Sequence, residues 1–475
     1  MRALLFSAPL ALAALALLLR RRWANRIALL GTAAVFLTTV VARGTGIDRG
    51  GSTGWLSEYL AIDAAGLYFL AIMALVFAGS AVYSLFYFRE RGLTPRHEAV
   101  FTAEMLIFAA AMTGVILARH LALLWVFVEA TTLTSALLIY FERRKTSLEA
   151  AWKYIFICSV GIALAFVGII LLSVGSRSIG SLFFSDLGRR AGEINPFWLK
   201  MAFSFILVGF GTKIGVAPLH AWLPDAHSEA PSPVSALLSG ALLNSTFLGL
   251  LRVHEIMVQA RLQDFSNVLL FITGFLSLLI SAAFLLQTAN YKRMLAYSSI
   301  ENMGLLFLGT ALGPAGLTAA LLHSAAHSLS KASLFLTSGN ILSLYASKRI
   351  ADVRGLLRRE PRTGWLWIVS FLAVAGFPPF PTFLSKFLLI RAFFEAGRGW
   401  MAAPLLLSVA VIVFGMGGAV FRMSFGDPPD PGRGERPGVF ALAPQILLLI
   451  LLLSIGLSIP EKIQTLLQTA AGVFQ

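Results

Sequence analysis

The sequence predicts an all-α integral membrane protein, and three observations carry that prediction. Hydrophobic residues make up 57% of the 475 positions and charged residues only 13%, about half the charged share of a soluble globular domain. The apolar residues fall in long runs, and a run of about 20 is enough to cross a hydrocarbon core as a helix. The basic residues behind the net charge of +15 sit in short clusters between those runs, such as Arg20, Arg21 and Arg22, then Arg143, Arg144 and Lys145, then the group from Lys348 to Arg362. Clusters placed in this way orient a membrane protein and argue against a nucleic-acid partner.

Taken in order, the runs give about fourteen spans: 3–19, 27–42, 62–88, 97–118, 120–141, 150–174, 200–219, 232–251, 266–288, 293–312, 315–345, 363–394, 401–421 and 439–459. The first has the length of a secretory leader, but a basic block follows where a cleavage site requires small residues. It is expected to remain as a helix with the N-terminus outside. On that orientation the inner loops carry the larger share of the 38 lysines and arginines, as the positive-inside rule requires. The single cysteine, Cys158, excludes internal disulfides, cysteine-ligated iron–sulfur clusters and Cys-x-x-Cys-His haem attachment. Any electron transfer is therefore expected on another subunit, with no cofactor on this chain.

Two spans carry breaks. The seventh contains Gly215-Val-Ala-Pro218 and the twelfth Gly376-Phe-Pro-Pro379-Phe-Pro381. Proline removes a backbone donor and clashes with the preceding turn, so helices 7 and 12 are expected to be discontinuous. The breaks lie five spans apart, an odd separation, so the two segments enter the membrane in opposite directions, which is the sequence trace of an inverted repeat. The expected organisation is N-terminal helices over 1–96, a first five-helix repeat over 97–258, a second over 259–425, and a last helix with a tail over 426–475.

A charge at the bilayer centre costs about 2.5–3.5 kcal/mol on the insertion scale, yet Glu104, Glu129, Lys213, Glu301, Lys331 and Lys386 lie within spans, with His323 and His327. Such groups must face one another or internal water. Glu129 sits mid-span and Lys213 beside the first break; together they form a pair able to load and release a proton, or a static ion pair that fixes helix packing. His323, His327 and Lys331 follow at spacings of four, along one stripe of a helix. Imidazole suits relay because it both accepts and donates near neutral pH. Static interhelical hydrogen bonding and a metal are the alternatives, although no thiol or carboxylate follows closely to complete a zinc site. Lys386 follows the second break, and Glu301 is expected to partner Lys331 or Lys386. Glu104 lies within reach of an interface. The proline-rich segment bearing His220, Asp225, His227 and Glu229 reads as a polar loop, either a channel mouth or a docking turn for a partner.

The segment from Thr212 through Lys-Ile-Gly-Val-Ala-Pro-Leu-His-Ala-Trp-Leu-Pro-Asp-Ala-His-Ser-Glu-Ala-Pro-Ser-Pro-Val-Ser-Ala-Leu-Leu-Ser to Gly240 closely resembles the antiporter-like proton-pumping subunits of respiratory complex I, the group 4 membrane-bound hydrogenases and the Mrp cation/proton antiporters. Tyr297-Ser-Ser-Ile-Glu-Asn-Met-Gly304, the His323–Lys331 stripe and Gly376 to Lys386 follow in the order that family shows. The likeness covers residues 60–460, and the wording is most similar to the hydrogenase-4 component F type. The resemblance implies fourteen helices with two inverted five-helix repeats. It makes Glu129 the fifth-helix glutamate, Lys213 the seventh-helix lysine, Lys331 and Lys386 the basic residues of helices eleven and twelve, and His323 and His327 members of the central axis. Asn244 departs from the pattern: it stands where complex I subunits commonly carry a lysine, and an amide cannot carry the proton.

The function so implied is that of a proton-translocating subunit of a redox-driven assembly, a hydrogenase or formate hydrogenlyase, in the inner (plasma) membrane of a bacterial or archaeal cell. Its partners would be other membrane subunits and peripheral iron–sulfur or nickel–iron subunits. A respiratory NADH-quinone dehydrogenase subunit, an autonomous sodium/proton antiporter subunit and a non-transporting anchor are the alternatives.

Overall fold

The computed structural model describes residues 2–44, 58–428, 436–472 and 474. With no water to satisfy the backbone, an apolar run must bond internally, and the described residues accordingly form helices joined by short turns, with isolated β-bridges and no β-strand. In chain order the main helices are α1 (Arg2–Leu19), α2 (Arg22–Gly44), α3 (Ala64–Glu90), α4 (Pro95–Leu117), α5 (Leu121–Ile139), α6 (Lys145–Gly175), α7 (Pro196–Ile214), α8 (Trp222–Glu229), α9 (Ser232–Gln259), α10 (Gln263–Leu285), α11 (Tyr291–Ala311), α12 (Gly313–Tyr345), α13 (Pro361–Ala375), α14 (Pro381–Glu395), α15 (Ala402–Ser424), α16 (Ala443–Leu457) and α17 (Glu461–Gly472). Short polar side chains start several of them. Asp63 accepts from the Gly66 amide, Thr94 from that of His97, Asn195 from those of Phe197 and Trp198, and Asn290 from those of Lys292 and Arg293.

Among the described residues ten helices are long and apolar enough to cross a membrane. The remaining predicted spans also fall on helices. These are either shorter (α1, and α13 with α14) or carry lysine, histidine, glutamate and serine along their length (α11 and α12). Both expected breaks are present. Gly215 and Gly376 end α7 and α13 at φ of 81° and 91°, a left-handed cap that costs glycine nothing. Each connection contains a cis X-Pro peptide, Ala217-Pro218 and Pro378-Pro379.

The segment read as a polar loop is instead mostly helix. The chain turns at Pro218 and His220, re-enters a helix at Trp222 with Pro224 in its first turn, where a missing N–H is tolerated, and passes directly into α9.

Helix α12 is the hub. Its 33 residues span about 50 Å at 1.5 Å each, and it packs against α3, α9, α11, α13, α14, α16 and α17. Around it the outward faces are apolar, with side chains such as Phe414 (79% exposed) and Phe156 (71%) that a hydrocarbon solvent accepts. Helices α6 and α7 approach closely because a Cβ at Gly168 would lie 2.8 Å from the Ala202 carbonyl oxygen. Helix α9 is buried along its whole apolar length. It contains a π-helical turn over Leu238–Leu242 and is anchored near its end by Arg252. That guanidinium donates to the carbonyls of Ala118 (2.5 Å) and Ile116 (2.9 Å) and pairs with Asp63 (3.1 Å).

Candidate functional site

Packing of α5 and α6 against α7 brings two hydroxyls to Lys213, which is fully buried. Its ammonium donates to Tyr154 Oη at 2.5 Å and to Thr132 Oγ1 on α5 at 2.8 Å, and lies 4.7 Å from the Tyr154 ring centroid. Tyr154 Oη is also 2.6 Å from Ser135 Oγ, whose hydroxyl donates to the Thr131 carbonyl. The donors therefore run in one direction, Lys213 to Tyr154 to Ser135, ending on a backbone acceptor. Trp222 of α8 packs against this ring, at 4.8 Å between centroids, while its indole N–H donates to the Thr212 carbonyl. Glu129, expected to pair with Lys213, does not touch it. The carboxylate accepts from Ser159 on α6 at 2.8 Å, and its second oxygen is buried with no protein partner.

Beyond the second break the arrangement is tighter. Lys386 Nζ lies 3.1 Å from Glu301 Oε1 on α11 and 3.2 Å from the Ala375 carbonyl at the end of α13. Of the two expected partners, Glu301 thus takes Lys386. Lys331 has no carboxylate contact; it donates to the Leu295 carbonyl (2.6 Å) and to Ser298 Oγ (2.7 Å), both on α11.

His323 lies between α11 and α14, with Nε2 2.8 Å from Asn302 Oδ1 and Nδ1 2.8 Å from Ser385 Oγ. Asn302 donates its amide to the Ser298 carbonyl, which leaves its oxygen for the imidazole, so Nε2 carries a proton. Ser385 can donate to Nδ1 or turn to the Thr382 carbonyl, 3.0 Å away, and accept instead. One hydroxyl rotation thus accommodates either protonation state of the ring. Both ring nitrogens are engaged, and among the described residues no group of three His, Cys, Asp or Glu side chains gathers in a way that could hold a metal.

His327 and His227 are both fully buried, and none of their ring nitrogens has a protein partner. His227 therefore separates from the neighbours with which the sequence groups it. Asp225 and Glu229 share one face of α8 at a spacing of four, whereas His227, two positions from each, points to the opposite side and stacks on Phe335 of α12 at 4.7 Å. Asp225 pairs with Lys153 (3.3 Å) and Arg293, and Glu229 with Lys348 (3.0 Å) and Thr146 (2.9 Å). His220 is half-buried in the α7–α8 connection, with Nδ1 unpartnered. Asn244 bridges α9 to α12, its amide donating to Ser328 Oγ (2.5 Å) and the Ser324 carbonyl (3.3 Å), while its oxygen is left without a partner. Glu104 stands apart on α4, partly buried.

Sequence reading missed several participants. Tyr154, Ser159 and Thr132 look ordinary inside apolar spans. Lys292 was assigned to a loop, yet it is 1% exposed and donates to the Ala230 carbonyl at 2.6 Å. The Asn290 cap before it was the available signal that the helix begins there.

A family model described as "NADH:quinone oxidoreductase/Mrp antiporter, TM" matches residues 118–413, the stretch that holds every group above except Glu104. The chain belongs to this family. A "Hydrogenase-4 component F homolog" of Methylacidiphilum infernorum is 34% identical over 75% of this chain and 76% of its own length. "Hydrogenase-4 component B" of Escherichia coli is 29% identical over 77% of this chain, which spans 56% of that longer relative. Among solved structures, a chain of an archaeal membrane-bound sulfane sulfur reductase superposes with a TM-score of 0.87 at 25% identity, covering 99% of this chain and 97% of that one. A chain of Thermus thermophilus respiratory complex I gives 0.77 at 26%, covering 96% of each. These family members are membrane subunits of multi-subunit complexes, and this chain is a multi-pass membrane protein of the same kind.

Proposed function

We propose that this chain carries protons through the membrane part of a redox-driven, complex I-like assembly of the membrane-bound hydrogenase or formate hydrogenlyase type. The observation that carries the reading is that three lysines within the spans, Lys213 and Lys331 fully buried and Lys386 only 12% exposed, are each held by groups able to exchange protons or position charge. Lys213 would load from the side of Asp225, Glu229 and His220. His327, His323 and Lys331 would pass the proton laterally, and Lys386 with Glu301 would release it. The unpartnered nitrogens of His227 and His327 and the free oxygen of Asn244 support a relay through internal water, because buried polar atoms require a partner. Water beside Asn244 would stand in for the missing lysine.

Glu129 and Lys213 on the fifth and seventh spans, matched by Glu301 and Lys386 on the tenth and twelfth, support two inverted five-helix repeats among fourteen helices. The same reading puts the N-terminus outside and leaves redox cofactors, iron–sulfur or nickel–iron, to peripheral partner subunits. Each proton moved outward against 100 mV needs about 2.3 kcal/mol from that chemistry.

Lys213→Ala in the assembled complex, reconstituted in vesicles, tests the path: redox turnover should persist while proton translocation is lost. Unchanged proton transport sinks the relay. Recovery of the tagged chain with hydrogenase or iron–sulfur subunits supports the redox assembly. Recovery with quinone-reducing dehydrogenase subunits moves it to the respiratory branch, and sodium-dependent proton flux from the chain alone makes it an antiporter.

A further inference from the structure

Away from the proton path, the connection between α12 and α13 meets the ends of α10 and α15 in a cleft of about 760 Å³. We propose that this cleft binds the headgroup of an anionic phospholipid, with a two-phosphate lipid of the cardiolipin type as its best match. Arg349, Arg354 and Arg422 line it together with Gln287 and Thr288, and among the described residues no acidic side chain does. Among the described residues none of the three guanidiniums makes an ion pair. Among the described residues the acids nearest in sequence have other partners: Asp352 accepts from Ser347 at 2.6 Å, and Asp427 pairs with Arg358.

The frame holding these arginines is tied down. The Ile350 amide donates to the Ala289 carbonyl (2.8 Å), Tyr345 Oη to the Arg354 carbonyl (2.7 Å), the Gly355 amide to the Phe425 carbonyl (3.0 Å), and Arg422 Nε to the Gly418 carbonyl (3.0 Å). Backbone order is thus in place while the Arg349 and Arg354 heads remain open to a ligand. Guanidinium forks match phosphate oxygens in paired hydrogen bonds. Basic pockets between membrane helices recognise anionic headgroups.

A lipid is favoured over an acidic protein segment because the cleft opens onto the hydrocarbon-facing belt. Leu286 (54% exposed), Phe421 (43%) and Phe425 (57%) form its rim and continue along α15 to Phe414, a surface for acyl chains. The cluster lies in the Lys348–Arg362 region, so the lipid would occupy the leaflet on the arginine-rich side.

The test is native mass spectrometry of the purified complex in detergent, titrated with cardiolipin, phosphatidylglycerol and phosphatidylcholine. Cardiolipin should bind saturably and in preference to phosphatidylcholine. Each of Arg349→Gln, Arg354→Gln and Arg422→Gln should weaken binding about fivefold and the triple variant about a hundredfold. Arg189→Gln, an exposed control, should leave it unchanged. Equal binding of phosphatidylcholine, or binding indifferent to the arginines, overturns the proposal. So does displacement by inorganic phosphate as effective as by lipid, which makes it a free-anion site. Cross-linking of the arginines to an acidic segment of another subunit, with no lipid retained, overturns it too. The single variants keep the test decisive if the triple variant does not assemble.

Discussion

The two breaks in the helical bundle each set a lysine beside a left-handed glycine cap, yet the two lysines keep different company. At the first, Lys213 faces hydroxyls, and the glutamate one would pair with it is occupied by Ser159 on a neighbouring helix. At the second, Lys386 is in direct contact with Glu301. The sequence offers the same ingredients to both: a carboxylate two spans upstream of a broken helix and a lysine near the break. What differs is the helix in between. Helix α6 supplies Tyr154, which bonds the ammonium, and Ser159, which bonds the carboxylate. Helix α12 supplies His323 and Lys331, which bond to other residues of α11 and leave Glu301 free for Lys386. A contact ion pair holds its charge in place, whereas an ammonium among hydroxyls can hand its proton along a bonded chain.

The comparison can be broken most directly at the carboxylates. Glu301→Gln leaves Lys386, only 12% exposed, without a carboxylate partner and should cost about 3 kcal/mol. Glu129→Gln removes only a serine contact and should cost about 1 kcal/mol. Thermal unfolding of the purified variants decides, and equal losses would dissolve the contrast. Next in size is the coupling within each pair. A double-mutant cycle on Glu301 and Lys386 should return about 2 kcal/mol, and one on Glu129 and Lys213 less than about 0.5 kcal/mol. A third variant, Tyr154→Phe, keeps the ring against Trp222 but cuts the hydroxyl chain. Proton translocation should fall about tenfold with stability lowered by about 1 kcal/mol, read from vesicle acidification beside an unfolding curve. The smallest change is expected at Glu229→Gln, where a partly exposed pair with Lys348 is lost. Stability should move by less than about 1 kcal/mol, and a larger shift would give that rim a structural part in holding the first half together.

The fold was legible because hydropathy and proline act locally. A run of apolar residues must become a helix in lipid, and Pro218 or Pro379 interrupts one whatever surrounds it. The identity of the buried charges was legible for a similar reason, since Lys213 or Glu301 inside a span is conspicuous on cost alone. Their partners were not. Tyr154 and Ser159 reach the site through the packing of α6 on α7, and nothing in an apolar run marks which tyrosine faces inward. His227 was grouped with Asp225 and Glu229 by proximity along the chain, which hides the half-turn that separates them on a helix. Lys292 falls between two predicted spans, yet it is buried, and it is its neighbour Arg293 that pairs with Asp225 at the rim.

The π-helical turn in α9 sets the phase of everything after it. A turn that holds one residue more than an α-turn rotates the remainder of the helix by about 100°. Asn244 faces α12, and Arg252 grips the carbonyls of Ala118 and Ile116 two turns later, only in that rotated frame. Deleting a single residue between Leu238 and Leu242 would turn both away together, unhooking an outer anchor by an edit made deep in the interior. This helix should therefore tolerate changes of letter far better than changes of length, and its count of residues is as much a part of the machine as any charge it carries.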